Sequence, residues 1–149
     1  MDITNRFLTS KEGQFVTVRK LCGKLNLCTV PHQGGEKNDL LVQIHTDDEK
    51  KQLAFSFKHP DGHYSPKVVS IESGSRYTLQ LEKIDNPTDL TKNHRFEKVD
   101  IKSSEHYGLR SVVEPKQYLH AKCRNHIHVI QISGTDSDCI AVTDVPQVS

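Results

Sequence analysis

Four side chains near the end of the sequence have the chemistry of zinc ligands. They are His120, Cys123, His126 and His128, in the run YLHAKCRNHIHV. Imidazole nitrogens and a thiolate bind zinc in proteins, and a β-hairpin can bring such residues together. However, His126 and His128 lie on one strand face, His120 lies on the opposing strand, and Cys123 falls at the turn. Because nine histidines in 149 residues make local pairs common, we interpret the run as a solvated histidine-rich face and expect no metal or other cofactor.

Other motifs with a known chemistry are incomplete or missing in the sequence. Gly34-Gly35 resembles part of a phosphate-binding loop, but no Gly-Lys-Ser/Thr follows it. The Gly-x-Ser-x-Gly and His-Glu-x-x-His motifs and a Cys/His nucleophile signature do not occur. The charged run Asp47–Lys51 is typical of a solvated loop. The sequence therefore predicts a protein that is not an enzyme.

Charge and hydropathy exclude several classes of protein. The 20 Lys and Arg residues nearly balance the 19 Asp and Glu residues, whereas a protein that tracks nucleic-acid phosphates normally has a basic face. No apolar run approaches the roughly 20 residues that span a bilayer, and the first residues lack the apolar core of a secretory signal. We expect no nucleic-acid partner, no membrane insertion, and a chain that is cytosolic, already processed or exported without a conventional leader.

The cysteines and one group of basic residues allow weaker predictions. The four cysteines form no Cys-x-x-Cys pair, and we expect most of them to be reduced and partly buried. Lys116, Lys122 and Arg124 near the last predicted hairpin form a candidate patch for anions or heparan sulfate. The nearby Glu114 reduces the net positive charge of this patch.

The secondary structure needed to position these residues is β throughout. From Tyr77 to Glu82 apolar and polar residues alternate, which is typical of a half-buried strand. Asp85–Asp89, with Pro87, cannot continue that strand, although Asp85–Asn93 could hold one helical turn, and a new strand begins at Arg95. The same pattern predicts twelve strands, near Arg6–Leu8, Gln14–Arg19, Lys24–Val30, Leu40–His45, Gln52–Lys58, Pro66–Ile71, Tyr77–Ile84, Arg95–Ile101, His106–Val113, Gln117–Lys122, His126–Ser133 and Cys139–Asp144.

A weak internal repeat favours one architecture. Similar hairpins begin at Phe15, Lys67 and Tyr118, about 50 residues apart. Three units of four strands predict a β-trefoil, in which six strands close a barrel and three hairpins cap one end. We expect residues 1–149 to form a single domain of this type, with a nine-strand sandwich as the alternative.

The second half of the chain resembles the interleukin-1 cytokine family. The run Thr78–Glu82 resembles the family strand before a long polar loop, and His94-Arg95-Phe96 resembles the point where the next strand begins. The family's late signature, with its Ser, Pro and second aromatic residue, is similar to Leu109–Tyr118. Leu109 replaces the usual Phe and Gln117 the usual Trp. Nearer the start, Phe7, Gln14-Phe15 and Gln33-Gly34 stand where family members have similar residues.

The resemblance implies a β-trefoil cytokine that performs no chemistry. Such a ligand is extracellular, is secreted without a conventional signal peptide and is cytoplasmic before release. It binds the immunoglobulin-like ectodomain of a receptor and recruits an accessory receptor chain, which triggers inflammatory signalling. We expect a monomer.

The resemblance also implies a set of contact residues. By matched position, Gln33 and Gly34 are the first candidates for the receptor contact, followed by Arg6, Asp100, Lys102 and Glu105, and then by His32, Lys92 and Asn93. Asp136 and Asp138 are the candidates for contact with the accessory chain.

Other functions fit the same fold. A receptor antagonist of the same family would bind the first receptor and fail to engage the second. A fibroblast-type growth factor would bind heparin tightly, which the nearly neutral charge disfavours. A trefoil lectin or actin-bundling module is a further alternative, but a ricin-type lectin needs Gln-x-Trp pockets and this chain has no Trp.

Overall fold

The computed structural model describes residues 2–31, 37–71, 76–101, 105–124, 127–135 and 139–146. Within these ranges the chain is all-β, with three short 3-10 segments at Lys37–Leu40, Pro87–Asp89 and Lys92–His94. None of the described segments is a helix long and apolar enough to cross a membrane. The prediction of twelve strands is confirmed: β1 Asp2–Ser10, β2 Phe15–Leu21, β3 Lys24–Val30, β4 Leu41–Asp47, β5 Gln52–His59, β6 Gly62–Ile71, β7 Arg76–Ile84, β8 Phe96–Asp100, β9 Tyr107–Ser111, β10 Tyr118–Arg124, β11 Ile127–Ser133 and β12 Val142–Pro146.

Six of the strands close into a barrel. β1 pairs with β4, β4 with β5, β5 with β8, β8 with β9, β9 with β12, and β12 again with β1. The other six strands form three hairpins, β2–β3, β6–β7 and β10–β11. This pattern is the predicted β-trefoil, with one hairpin in each third of the chain.

The core lies inside the barrel. Leu8, Phe55, Phe57, Phe96 and Leu109 are among its most buried members. The ring of Phe55 lies 6.2 Å from that of Phe57 and 6.3 Å from that of Phe96, within the range of favourable aromatic contacts. Because side chains alternate along a strand, every second residue of a barrel strand faces this core.

Two of the three hairpins are joined to each other. Val129 of β11 pairs with Cys28 of β3, whereas the only strand that pairs with β7 in the described part of the chain is β6. The β2–β3 turn is tight because Cys22 and Gly23 both have positive φ angles, 52° and 76°, as a two-residue hairpin turn of this kind requires.

The connection between β7 and β8 is ordered by its own polar side chains. The Asp89 carboxylate accepts hydrogen bonds from the backbone N–H groups of Asp85 and Asn86, both at 3.1 Å. The Asn86 side chain in turn accepts one from the Thr88 N–H. The segment predicted to hold one helical turn therefore contains two, both of the 3-10 type.

The segment that resembles the family's late signature is held by a buried serine. Ser111 is fully buried. Its hydroxyl accepts a hydrogen bond from the Gln117 N–H at 2.9 Å and donates one to the Val113 carbonyl at 3.2 Å. Its N–H also donates to the Gln117 carbonyl. The serine therefore closes the β9–β10 connection.

Some strands begin at residues other than those predicted, because pairing with neighbouring strands sets their ends and the local sequence pattern does not. β1 begins at Asp2 instead of Arg6 because its first residues pair with β4. The last strand begins at Val142 instead of Cys139, because Cys139 bridges to His120 and the Ile140 N–H bonds the Leu119 carbonyl. Cys139 and Ile140 therefore pair with β10, and the barrel strand begins after them, at Val142.

Candidate functional site

The end of the barrel opposite the hairpins carries a ring of polar and aromatic side chains. We call it the open-end ring and define it as Arg6, Lys98, Asp100, Tyr107 and Asp144. Strand alternation accounts for four of them, because Arg6, Lys98, Tyr107 and Asp144 each lie two positions from a core residue and so share its strand face, and Asp100 continues the face of Lys98. The matching core residues two positions away are Leu8 for Arg6, Phe96 for Lys98, Leu109 for Tyr107 and Val142 for Asp144.

Side-chain contacts connect four of the five members of the ring, Arg6, Lys98, Tyr107 and Asp144. The Tyr107 hydroxyl donates a hydrogen bond of 2.9 Å to Asp144 Oδ1. Arg6 Nε lies 3.6 Å from Asp144 Oδ2, and Lys98 Nζ lies 4.5 Å from the centroid of the Tyr107 ring. These contacts join β1, β12, β9 and β8, so the ring is built on rigid strands from both ends of the sequence.

The ring combines a protonated phenol with side chains of both charges. Burial, followed by the neighbouring Asp144 carboxylate, raises the pKa of Tyr107 well above its usual range. The phenol therefore keeps its proton and acts as a hydrogen-bond donor. Arg6 and Asp144 remain partly exposed, with 36% and 27% of their side chains accessible. The surface thus presents both signs of charge around a largely buried aromatic ring.

The structure brings three of the predicted contact residues to this end. Arg6 and Asp100 are members of the open-end ring, and Asp100 lies opposite Tyr107 in the β8–β9 register. Glu105 is exposed and lies two residues before β9. Lys98, Tyr107 and Asp144 were not predicted.

Lys92 and Asn93 lie elsewhere. They belong to the 3-10 segment before β8, at the opposite end of that strand from Asp100. Lys92 is exposed. Asn93 is anchored, since its side-chain amide donates a hydrogen bond of 2.9 Å to the Val68 carbonyl of β6. Asn93 therefore fixes this connection to a neighbouring strand.

A buried histidine network beside Asn93 was also missed. His94 is fully buried. Its Nδ1 accepts the Thr91 N–H at 2.9 Å, and its Nε2 lies 3.1 Å from Glu82 Oε1. Glu82 also receives a 3.1 Å hydrogen bond from Lys67 Nζ. Burial lowers the pKa of His94, and the Lys67 hydrogen bond lowers that of Glu82, so a neutral imidazole faces a carboxylate at neutral pH.

The remaining predicted contact residues lie outside the described part of the structure. They are His32, Gln33, Gly34, Lys102, Asp136 and Asp138.

The histidine-rich run does not form a cluster among the described residues, and one lysine of the basic patch is paired with a carboxylate. Cys123 lies opposite His128 in the β10–β11 register, whereas His120 lies opposite Gln131. His126 is outside the described residues, and no group of three potential metal ligands occurs among those that are described. In the basic patch, Lys116 Nζ is bound by Glu97 at 2.8 Å, which neutralises it.

The cysteines have different environments. All four are free thiols. Cys28 is buried, Cys139 is half-buried, and Cys22 and Cys123 are exposed. The expectation that most of the cysteines are partly buried is therefore wrong, because two of the four are exposed. Burial raises the pKa of Cys28 to about 11.

Comparisons with known proteins identify the fold. No family model matches the sequence, and no curated protein sequence matches it. A mutant of Gallus interleukin-1 beta is 16% identical over 95% of this chain and 94% of that chain, with a TM-score of 0.68. The cytolethal distending toxin of Haemophilus ducreyi is 12% identical over 97% and 84%, with a TM-score of 0.65. The water-soluble chlorophyll protein of Brassica oleracea is 12% identical over 97% and 91%, with a TM-score of 0.69. The chain therefore has an interleukin-1-like β-trefoil fold, which it shares with proteins of several different functions.

Proposed function

We propose that this protein is an extracellular receptor ligand of the interleukin-1 type. It acts as a monomer that binds an immunoglobulin-like receptor ectodomain and recruits an accessory chain to start inflammatory signalling. The fold supports this proposal, as do the sequence motifs at Thr78–Glu82 and Leu109–Tyr118. The observation that carries it is the open-end ring, which gathers Arg6 and Asp100 with Tyr107 on one surface.

The ring has the properties of a protein-binding surface. Arg and Tyr are enriched at the energetically important centres of interfaces. Here the hydrogen bond from Tyr107 to Asp144 and the ion pair from Arg6 to Asp144 hold these side chains in place before any partner arrives. A pre-organised surface loses less conformational entropy on binding.

The ring does not offer a catalytic group, and we propose that the protein is not an enzyme. Tyr107 keeps its proton because its pKa is raised. The Asp144 carboxylate is engaged by Tyr107 and Arg6. Both groups therefore stabilise a surface and neither is poised to accept a proton from a substrate.

Surface plasmon resonance against a panel of interleukin-1-type receptor ectodomains tests the proposal. We expect one ectodomain to bind, and Arg6→Glu and Lys98→Glu each to weaken that binding at least about tenfold by reversing a charge in the interface. Lys20→Glu, an exposed position on hairpin strand β2, is the matched control and should bind normally. Thermal melts verify that each variant is folded. Binding to none of the ectodomains, or equal effects of all three reversals, would contradict the proposal.

An antagonist of the same receptor is the second candidate, and the same fold and ring support it. Adding the accessory ectodomain to the binary complex separates the two. An agonist forms a ternary complex, whereas an antagonist leaves the accessory chain unbound. Heparin binding is disfavoured by the Lys116–Glu97 ion pair, and elution from a heparin column at low salt would agree with this.

A further inference from the structure

A large pocket opens at the hairpin end of the barrel, remote from the open-end ring. Its volume is about 770 Å³, within the range of roughly 300–1,000 Å³ typical of sites that enclose small molecules. All three hairpins contribute to its walls. Leu25 comes from the first, Tyr77 and Leu79 from the second, and Ile127 and Ile132 from the third.

The three hairpins that surround the pocket are not paired symmetrically. The first and third hairpins are joined where Val129 pairs with Cys28. In the described part of the chain, β7 has ladder bonds to β6 alone. The second hairpin therefore forms a separate wall, and its Leu79 and Leu81 stay half-buried although they pack against the core.

The pocket is lined by leucine and isoleucine side chains together with a comparable amount of polar surface. Each Å² of half-buried leucine or isoleucine surface that a ligand removes from water contributes about 25 cal/mol to the binding free energy. Asn26, Gln80 and Gln131 supply amides to the rim. Lys24 supplies its one charged side chain, and no Asp or Glu is among the described residues that line the pocket. The Asn26 amide donates a 2.9 Å hydrogen bond to the Lys24 carbonyl, which fixes this corner of the rim.

We propose that this pocket binds an elongated apolar molecule with a single carboxylate, of the fatty-acid class. The hydrocarbon chain lies between the apolar walls from the three hairpins, and the carboxylate lies at the rim beside Lys24. Lys24 is exposed, so a neutral molecule would gain nothing from its ammonium, and a cationic one would be repelled by it. The charge of the rim therefore selects the anion.

Titration of the isotopically labelled full chain with dodecanoate, below its micelle concentration, tests the proposal. Amide chemical-shift changes should map to Leu25, Leu79 and Ile132. Lys24→Gln should weaken dodecanoate binding about fivefold, the effect of a partly solvated ion pair. Lys20→Gln, which removes an exposed lysine of the same hairpin that does not line the pocket, should bind as the unchanged protein does. Neutral dodecanol should bind all three proteins alike.

Steric filling gives an independent readout. Leu79→Trp places a larger side chain in the pocket and should abolish the shift changes, and its circular dichroism spectrum verifies that it is folded. Lack of binding at millimolar dodecanoate, or shift changes that map elsewhere, would overturn the proposal. So would a dimer in sedimentation equilibrium that Leu79→Trp dissociates, because a second copy of the chain would then cover these residues. None of these results bears on receptor binding at the open end, so the two proposals fail separately.

Discussion

Replacing His94 by glutamine should change how stability depends on pH. The imidazole is fully buried, its Nδ1 accepts the Thr91 N–H, and its Nε2–H donates to Glu82. Protonation would place a hydrogen on Nδ1 against the Thr91 N–H. Burial lowers the pKa of His94, the Glu82 carboxylate opposes that shift, and Lys67 adds to it. A glutamine can retain one donor and one acceptor but does not titrate.

The magnitude follows from proton linkage. Because the pKa of His94 is lower in the folded state than the usual value of 6.5, the unfolded chain binds more protons as the pH falls. The stabilisation is therefore complete above pH 6.5 and is lost as the pH falls toward the folded-state pKa. For an imidazole that stays neutral in the folded state, the loss between pH 7.5 and 5.5 is about 1.4 kcal/mol. His45 is also buried with a lowered pKa, so the unchanged protein should lose up to about twice that amount.

Urea unfolding followed by far-ultraviolet circular dichroism measures these differences, since the chain has no Trp to serve as a fluorescence probe. Between pH 7.5 and 5.5, the free energy of unfolding should fall by a smaller amount for His94→Gln than for the unchanged protein, and the difference should be at most about 1.4 kcal/mol. His128→Gln, which removes an exposed histidine, is the matched control. Equal pH dependence in His94→Gln and the unchanged protein would refute the neutral, buried imidazole.

Three further predictions concern other parts of the fold. A methyl group on Gly108 would lie 2.5 Å from Cys139 Sγ, so Gly108→Ala should lower the free energy of unfolding by about 1–3 kcal/mol, and an unchanged urea midpoint would contradict this contact. Ser111→Ala removes the acceptor that closes the β9–β10 connection and should destabilise by about 1–3 kcal/mol in the same assay. In thiol labelling at pH 8, exposed Cys22 should react at least about a hundredfold faster than buried Cys28, whose pKa is raised to about 11; similar rates would show that Cys28 is accessible.

The fold could be predicted because its local signals agree with its long-range pairing. Alternation and turn residues located all twelve strands, and Lys24–Val30 has the same bounds in the structure as in the prediction. Strand ends were harder. Pro66 was expected to begin a strand, since proline usually sits at strand starts or edges. It lies inside β6, opposite Leu81, where pairing with β7 overrides that preference.

The open-end ring could be predicted only in part. Arg6 and Asp100 were found through the family resemblance. Lys98, Tyr107 and Asp144 were missed because their contacts join strands that are far apart in sequence, a relation that no local pattern contains. Strand alternation offered one usable signal, because each of these three residues lies two positions before or after a core residue of the same barrel strand.

The barrel is closed by its first and last strands, where Phe7 of β1 pairs with Val145 of β12. During synthesis β12 leaves the ribosome after the other eleven described strands. Until β12 emerges, the edges of β1 and β9 that it will pair with have no partner. Pairing between residues so distant in sequence is slow, and unpaired strand edges invite association with other chains. A polypeptide that stalls before Val142 would therefore be a substrate for aggregation and proteolysis.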